Sequence, residues 1–301
     1  MSLQAKVKRY SLIIDHVKRL KYPSFRDIHN MLNDYGFGID SRTLQRDIED
    51  IRDEFGVEIT YDTGKKGYYI DYENSINADY VLHFLELAVS SDIMIDSVKE
   101  GKKVLKYIDF DSYEHFRGVN NIGKLLSALK ESCKISFMHT SYQTGITKHI
   151  DLAPYLLKEY QGRWYIYGED LSIHRFRIYG LDRIDNLQIS NEKFEQKKDF
   201  DPSVRFADMI GISSSWDDIG IQEVILSFTD DQWKYFEAFP WFSYKPVKGG
   251  KNDHRVSLTI IPNTELIQII LKHSEGVTVI EPADLRNRIK EILEDACKRY
   301  S

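Results

Sequence analysis

Residues 41–48 read Ser-Arg-Thr-Leu-Gln-Arg-Asp-Ile, and the chain on either side of them decides the architecture of the N-terminal part of the molecule. Leu44, Ile48 and Ile51 recur at helical spacing, so one face of this stretch is apolar and turns inward. Ser41 supplies a capping oxygen at its start and Gly56 a left-handed stop at its end. Upstream, Val7, Tyr10, Ile13, Ile14, Val17 and Leu20 predict a first helix over 7–21, closed by Pro23. Ser24 then caps a second helix carrying Phe25, Ile28, Met31 and Leu32, which ends at Gly36 and Gly38. Downstream, residues 57–61 and 67–72 alternate as strands around Asp62-Thr63-Gly64-Lys65-Lys66, a hairpin with a basic tip. Helix, helix, turn, helix and hairpin in that order predict a winged helix-turn-helix over residues 1–72.

In such a unit the third helix lies in the major groove of DNA. With Leu44 inward, Arg42, Thr43, Gln45 and Arg46 face outward, and Ser41 stands at the helix tip. Arginine forks onto guanine and glutamine onto adenine, while hydroxyls and a helix N-terminus suit phosphate. Lys65 and Lys66 fit either a wing reaching the duplex or an ordinary solvated hairpin tip. The net charge of −6 argues against nucleic acid only for the molecule as a whole, because a small basic face suffices. Asp47, Glu49, Asp50, Asp53 and Glu54 follow at once, which confines the positive character to the helix start and favours end-on entry. The stretch resembles the S-x-R-T-x-x-R-D-L recognition helix of DeoR-type winged-helix regulators, with the residue between Ser and Arg absent here. The resemblance spans residues 7–72.

A chain of 301 residues is expected to form more than one domain. Residues 77–100 and 120–132 read as helices, within a helical connector over 73–132. From Lys134 the hydrophobic period becomes two, in short strands around 135–137, 150–152, 164–167, 176–178 and 184–189, predicting a small antiparallel barrel over 133–191. Residues 192–220 are polar and irregular, with Pro202, Gly211 and Ser213-Ser214-Ser215, and read as a linker carrying one short helix. Over 221–301, strands at 222–228, 254–261 and 277–280 alternate with helices at 230–238, 262–272 and 282–300, which suggests a ferredoxin-like α+β unit. The predicted fold class is therefore multidomain α+β.

Gly162-Arg163-Trp164-Tyr165-Ile166-Tyr167-Gly168, followed by Arg177-Ile178-Tyr179-Gly180-Leu181-Asp182-Arg183-Ile184, resembles the WYL domain. That family is named for a Trp-Tyr-Leu tripeptide and carries a later R-x-F-x-L-D-R-I block. Residues 135–141 and 154–158 fit its earlier strands, so the resemblance covers 134–188. Ile166 stands where the family has Leu, Tyr179 where it has Phe, and His139 where it commonly has Tyr, the last altering the wall of the implied groove. The resemblance implies an SH3-like barrel whose basic groove senses a negatively charged or nucleic-acid-derived ligand, such as a single strand or a nucleotide. The groove residues it implies are His139, Ser141, Tyr142, Arg163, Tyr165, Arg177 and Arg183, with arginines pairing phosphates and rings stacking bases. The competing reading makes Trp164 and Tyr165 packing aromatics and pairs Arg183 with Asp182 or Asp185. The last eighty or so residues resemble the extension that often follows WYL domains, expected here as a homodimerisation module. In it Trp241 and Phe242 are either interface or core.

Other classes find little support. No apolar run is long enough for a membrane span and the N-terminus lacks a signal-peptide core, so a cytoplasmic protein is expected. Cys133 and Cys297 show no CxxC spacing, which argues against a disulfide framework or a zinc cluster. His139, His149 and His174 lack HxH or HExxH spacing, and Gly36–Gly38 and Gly249-Gly250 lack that of a phosphate-binding loop. No enzyme, metal site or cofactor is expected. The expected function is a sequence-specific transcriptional regulator that binds a double-stranded operator as a homodimer. The alternative is a nucleic-acid-binding accessory factor in defence or DNA repair without operator specificity. A hydrolase built on a histidine cluster is a third reading.

Overall fold

The computed structural model describes residues 3–75, 78–98, 118–142, 144–197, 200–202, 204–213, 220–247 and 254–300. Part of the expected connector, Ser214 and Ser215 of the linker, and Gly249-Gly250 lie outside the described residues. The chain divides into two units, residues 1–111 and 112–301.

The first unit opens with α1 (Leu3–Leu20), α2 (Phe25–Asp34) and α3 (Ser41–Phe55), followed by a hairpin of β1 (Ile59–Asp62) and β2 (Gly67–Ile70). Ser24 caps α2 in a full capping box with Asp27, each side chain holding the other's backbone N–H. α3 departs from expectation at its start. Asp40 is the cap, its Oδ1 accepting the Thr43 N–H at 2.7 Å, and Ser41 is the first helical residue. A carboxylate there suits the positive end of the helix dipole better than a hydroxyl. Gly56 closes α3 at φ 65°, as expected. One core gathers Tyr10, Ile13, Ile14, Val17, Ile28, Leu32, Leu44, Ile48 and Ile51 with Ile59 and Ile70 of the hairpin. The next helix, α4 (Ala78–Val98), adds Ala78, Leu82 and Leu85 to that core. The front of the connector therefore belongs to the head.

In the second unit, α5 (Ile122–Glu131) packs Leu125 and Ala128 against a five-stranded antiparallel sheet. Its strands are β3 (Cys133–Thr140), β4 (Thr147–Tyr160), β5 (Arg163–Asp170), β6 (Arg175–Gly180) and β7 (Ile184–Lys193), in the order β6-β5-β4-β3-β7. A register shift between Pro154 and Leu156 lets the long β4 bend across the sheet. Phe137, Leu152, Ile166 and Tyr179 fill the face under α5.

After α6 (Val204–Ala207) come β8 (Gln222–Phe228), α7 (Asp230–Ala238), β9 (Lys245–Pro246), β10 (Arg255–Ile260), α8 (Thr264–Lys272), β11 (Val277–Glu281) and α9 (Ala283–Tyr300). The sheet order is β11-β8-β10-β9, antiparallel throughout. Trp241 and Phe242 pack against the core beside Phe236, so of the two readings left open for them the structure takes the core. Among the described residues, the aromatic side chains most exposed in this region are instead Tyr300, Phe239 and Tyr235.

The stretch read as a polar linker is packed on both sides. Phe206 and Met209 join Tyr167 in a buried cluster with Tyr155, Phe176 and Ile178, on the sheet face opposite α5. At its far end the backbone N–H groups of Ile212 and Ser213 donate to Oε1 of the buried Glu265, at 3.1 and 2.8 Å. Asn263, also buried, caps α8 and donates from Nδ2 to the Ile210 carbonyl at 2.6 Å. A segment without hydrophobic periodicity is thus fixed by single aromatic residues and by side chains supplied from α8. Replacing Glu265 with alanine leaves two amides without an acceptor, so we expect a loss of about 2 kcal/mol in urea unfolding. Wild-type stability for Glu265→Ala would show that these two bonds do not hold the segment.

Candidate nucleic-acid and anion sites

α3 is held in place by an ion pair that its own sequence does not reveal. Arg9 of α1 and Asp47 of α3 are both buried and meet in a two-point bond, Nε to Oδ2 at 2.6 Å and Nη2 to Oδ1 at 2.8 Å. Asp47 holds the Arg9 guanidinium in its charged form against the cost of burial. One turn on, Asp50 accepts from the Tyr10 hydroxyl at 2.8 Å and pairs with Lys6 at 2.9 Å, and Lys6 also reaches Glu54 at 3.1 Å. Three of the five acids that follow the recognition sequence are therefore committed to α1. These three acids are turned toward α1 rather than left on the outward face behind the helix start.

What remains outward on α3 is a mixed polar stripe. Ser41, Arg42, Gln45, Arg46 and Glu49 are exposed, Thr43 is half-buried, and Leu44, Asp47 and Ile48 face in. Arg42, Gln45 and Arg46 make no side-chain hydrogen bond or ion pair among the described residues. The Thr43 amide is taken by Asp40, so that N–H is not open to a phosphate at the helix tip.

The wing is less loose than a solvated tip. Asp62 Oδ1 accepts the Gly64 and Lys65 N–H groups, and Lys65 Nζ donates to the Tyr22 hydroxyl at 2.6 Å. A Cβ on Gly67 would lie 2.0 Å from the Tyr22 carbonyl oxygen, so only glycine lets the hairpin come this close to the turn between α1 and α2. Lys66 stays exposed.

In the five-stranded sheet the expected groove residues separate into two groups. Tyr142, Arg183, Asp182 and His139 gather where β3 ends and where β6 turns into β7. The Arg183 guanidinium lies 4.7 Å from the centre of the Tyr142 ring, and the Tyr142 hydroxyl donates to Asp182 Oδ2 at 2.8 Å. Asp182 and Arg183 also pair, but at 3.6 Å that contact is electrostatic and too long for a hydrogen bond. Arg183 Nε is buried without a hydrogen-bond partner, and so is His139 Nε2, whose ring meets Tyr179 edge-on at 4.9 Å. Burial holds the His139 imidazole below its ordinary value, helped by the Arg183 charge, which outweighs Asp182. Gly180 forms the floor: a Cβ there would strike Asp182 Oδ1 at 2.5 Å and Arg183 Nη2 at 2.7 Å. Arg163 is close enough to act on both Tyr142 and Tyr165, and Tyr165 is itself largely buried.

Arg177 does not join this group. It lies on β6 beside Phe176, Phe206 and Met209, and its Nη1 returns to the Phe176 carbonyl. Ser141 serves its own turn, accepting the Thr144 N–H. Asp182 and Gly180 were missed as site residues although both stand inside the block that carries the resemblance. Arg9 had a fainter signal: it interrupts the apolar stripe of α1 just where that stripe faces α3.

Residues 120–189 match the WYL domain and residues 221–297 the WCX domain. A Bacillus subtilis (strain 168) protein, named uncharacterized HTH-type transcriptional regulator YobV, is 27% identical over 199 residues, 64% of this chain and 60% of that protein. The match thus spans less than two thirds of that relative's length. Among solved structures, the proteasome accessory factor B/C of Arthrobacter aurescens aligns with 95% of this chain and 45% of its own, at 16% identity and a TM-score of 0.31. A CRISPR Cas-related protein aligns with 99% of this chain and 85% of its own, at 13% identity and a TM-score of 0.44.

The Arg9–Asp47 pair yields a direct test. Asp47→Asn removes the charge that balances a buried guanidinium and is expected to cost roughly 3–5 kcal/mol, whereas replacing both partners with apolar residues recovers most of that loss. Urea unfolding of the single and double variants measures both. A single variant as stable as wild type would remove this pair from the support of α3.

Proposed function

Taking a WYL domain and a WCX domain behind a three-helix head with a hairpin wing, we propose that the protein is a DNA-binding transcriptional regulator that responds to an anionic ligand. The observation that carries the first half is the outward stripe of α3, where Arg42, Gln45 and Arg46 are exposed and uncommitted while Asp47 is neutralised inside. Free guanidinium and amide groups at this spacing suit base edges and phosphates of a duplex. Lys65, steadied by Tyr22, and Lys66 lie on the wing, where they add backbone contacts. The name of the B. subtilis relative points the same way.

The second half rests on Arg183. A buried Nε–H without an acceptor is costly, and an anion seated against Arg183, His139 and Tyr142 would supply the missing oxygen. The exposed Tyr142 ring offers a stacking surface for a base, so a nucleotide or a single strand fits the chemistry. We read the sheet that carries this site as an SH3-like barrel. The βαββαβ order of the C-terminal unit supports a ferredoxin-like reading, and this unit joins two copies so that two heads meet two half-sites. The proposed work is binding rather than catalysis, with ligand capture shifting operator affinity through differential binding to two states.

Two measurements test these roles. In operator selection followed by titration, Arg46→Ala is expected to lower specific affinity by about tenfold or more while leaving folding unchanged. Undiminished discrimination against a scrambled duplex would displace the reading helix from α3. For the ligand, a short single-stranded oligonucleotide is the probe. His139 is neutral when free, and an arriving anion favours its charged form, so binding takes up a proton. Affinity therefore rises as pH falls below the ordinary histidine value of about 6.5, and His139→Gln flattens the dependence. A pH-independent affinity in the wild-type chain would place the anion elsewhere.

A further inference from the structure

Leu156, Tyr167 and Ile178 stand side by side on β4, β5 and β6, and all three join the apolar cluster of Phe206 and Met209 on the sheet face opposite α5. Two residues along each strand lies the next row of the same face, which is Lys158, Tyr165 and Gly180. Lys158 pairs directly with Tyr165, and Tyr165 with Gly180. At one end this row meets the anion site. A Cβ on Gly180 would strike Asp182 Oδ1 and Arg183 Nη2, so both side chains lie over the end of the row, and both charges act on the Tyr165 hydroxyl.

The other end carries a cation without a counter-charge. Lys158 is half-buried, with its Nζ 4.7 Å from the centre of the Phe206 ring. It makes no hydrogen bond or ion pair among the described residues. Its neighbour Glu159 takes up the Gly162 N–H instead. Burial pushes the Lys158 ammonium below its ordinary value, and the Glu159 charge opposes this only in part.

We propose that Lys158 is a second cation of the anion site, and that the row between it and Arg183 takes an anion carrying two linked phosphate groups. The inference rests on the reading that Arg183, His139 and Tyr142 hold an anion, and it states how far that anion extends. Neighbouring strands lie about 4.8 Å apart, so the backbones of Lys158 and Gly180 are separated by roughly 10 Å. One phosphate is too small to meet the ammonium and the guanidinium together. Two phosphates, joined through an oxygen or through a sugar, span the row and leave a base to stack on the exposed Tyr142 ring. Gly180 keeps the path between the cations low, because a side chain there would stand in it.

The test is calorimetric titration of the full chain with three probes that share adenine. AMP has one phosphate; ADP and the 5′-phosphorylated dinucleotide pApA have two. The better two-phosphate probe is expected to bind about tenfold tighter than AMP. ADP ahead identifies adjoining phosphates and pApA ahead a sugar–phosphate backbone, and either result supports the pair of cations. K158M keeps an apolar stem over Phe206 but removes the charge, and reduces the preference to within about threefold. K158R keeps the charge and the preference, which separates lost charge from lost folding, and R183Q weakens every probe. Equal affinity of the wild-type chain for all three probes overturns the two-phosphate ligand. A preference that survives K158M overturns the role of Lys158. Should none of the probes bind, or should R183Q bind them as wild type does, the anion reading beneath the inference falls with it.

Discussion

The bond between Arg9 and Asp47 is the constraint on which the head depends. A recognition helix must keep its polar stripe outward while its other face carries the core, and α3 does so with an acid on the inward side. Without Arg9 that acid would be an unpaired charge in an apolar core, and the helix could escape the penalty only by rolling or lifting. With Arg9 the roll is fixed, because a two-point guanidinium–carboxylate bond has one orientation. Lys6 and Tyr10 repeat the arrangement one turn further along with Asp50. The outcome is electrostatic as well as mechanical. Acids that would repel phosphate are turned toward α1, so an anionic molecule can still present a helix face whose nearest uncommitted groups are Arg42, Gln45 and Arg46.

A different constraint joins the WYL and WCX parts. The segment between them uses few residues, but each is placed where it counts. Phe206 and Met209 enter the aromatic cluster of Tyr155, Tyr167 and Phe176, and Glu265 and Asn263 hold the backbone from the other side. Side chains on opposite faces of β6 serve different neighbours. Tyr179 packs into the core under α5 with Phe137, whereas Phe176 and Ile178 pack against the connecting segment.

Much of this was legible in the sequence, and the parts that were not share a cause. Periodicity and punctuation located α1, α2, α3 and the hairpin, because each buries a regular stripe and ends at a glycine or proline. The two WYL blocks located the sheet, and within them Arg183 and Tyr142 do meet. Pairings between distant residues escaped. Asp47 reads as one more surface acid until Arg9 is brought beside it, and Asp40 outcompetes Ser41 as cap although both are good cap residues. The connecting segment read as a linker because single anchors leave no period. The resemblance implied Arg177 beside Arg183, yet Arg177 on β6 lies near Phe206 and Met209 while Arg183 lies in the turn after the strand, beside Tyr142.

The proposed anion site would account for two of the unsatisfied buried groups. Buried polar atoms are nearly always paired, so Arg183 Nε and His139 Nε2 are exceptions that require a reason. Closer approach of Asp182 would satisfy Arg183, but Asp182 is held by the Tyr142 hydroxyl and its partner lies at 3.6 Å. Gly180 keeps the floor open where any side chain would fill it. An apolar pocket would have been more stable without these groups, and the proposed anion would offset their cost. An anion bound as proposed would act on the turn that ends β6, and β6 carries Phe176 and Ile178 on the face that packs against Phe206. A change in the set of β6 would then bear on the segment anchored by Glu265 through the packed side chains between them.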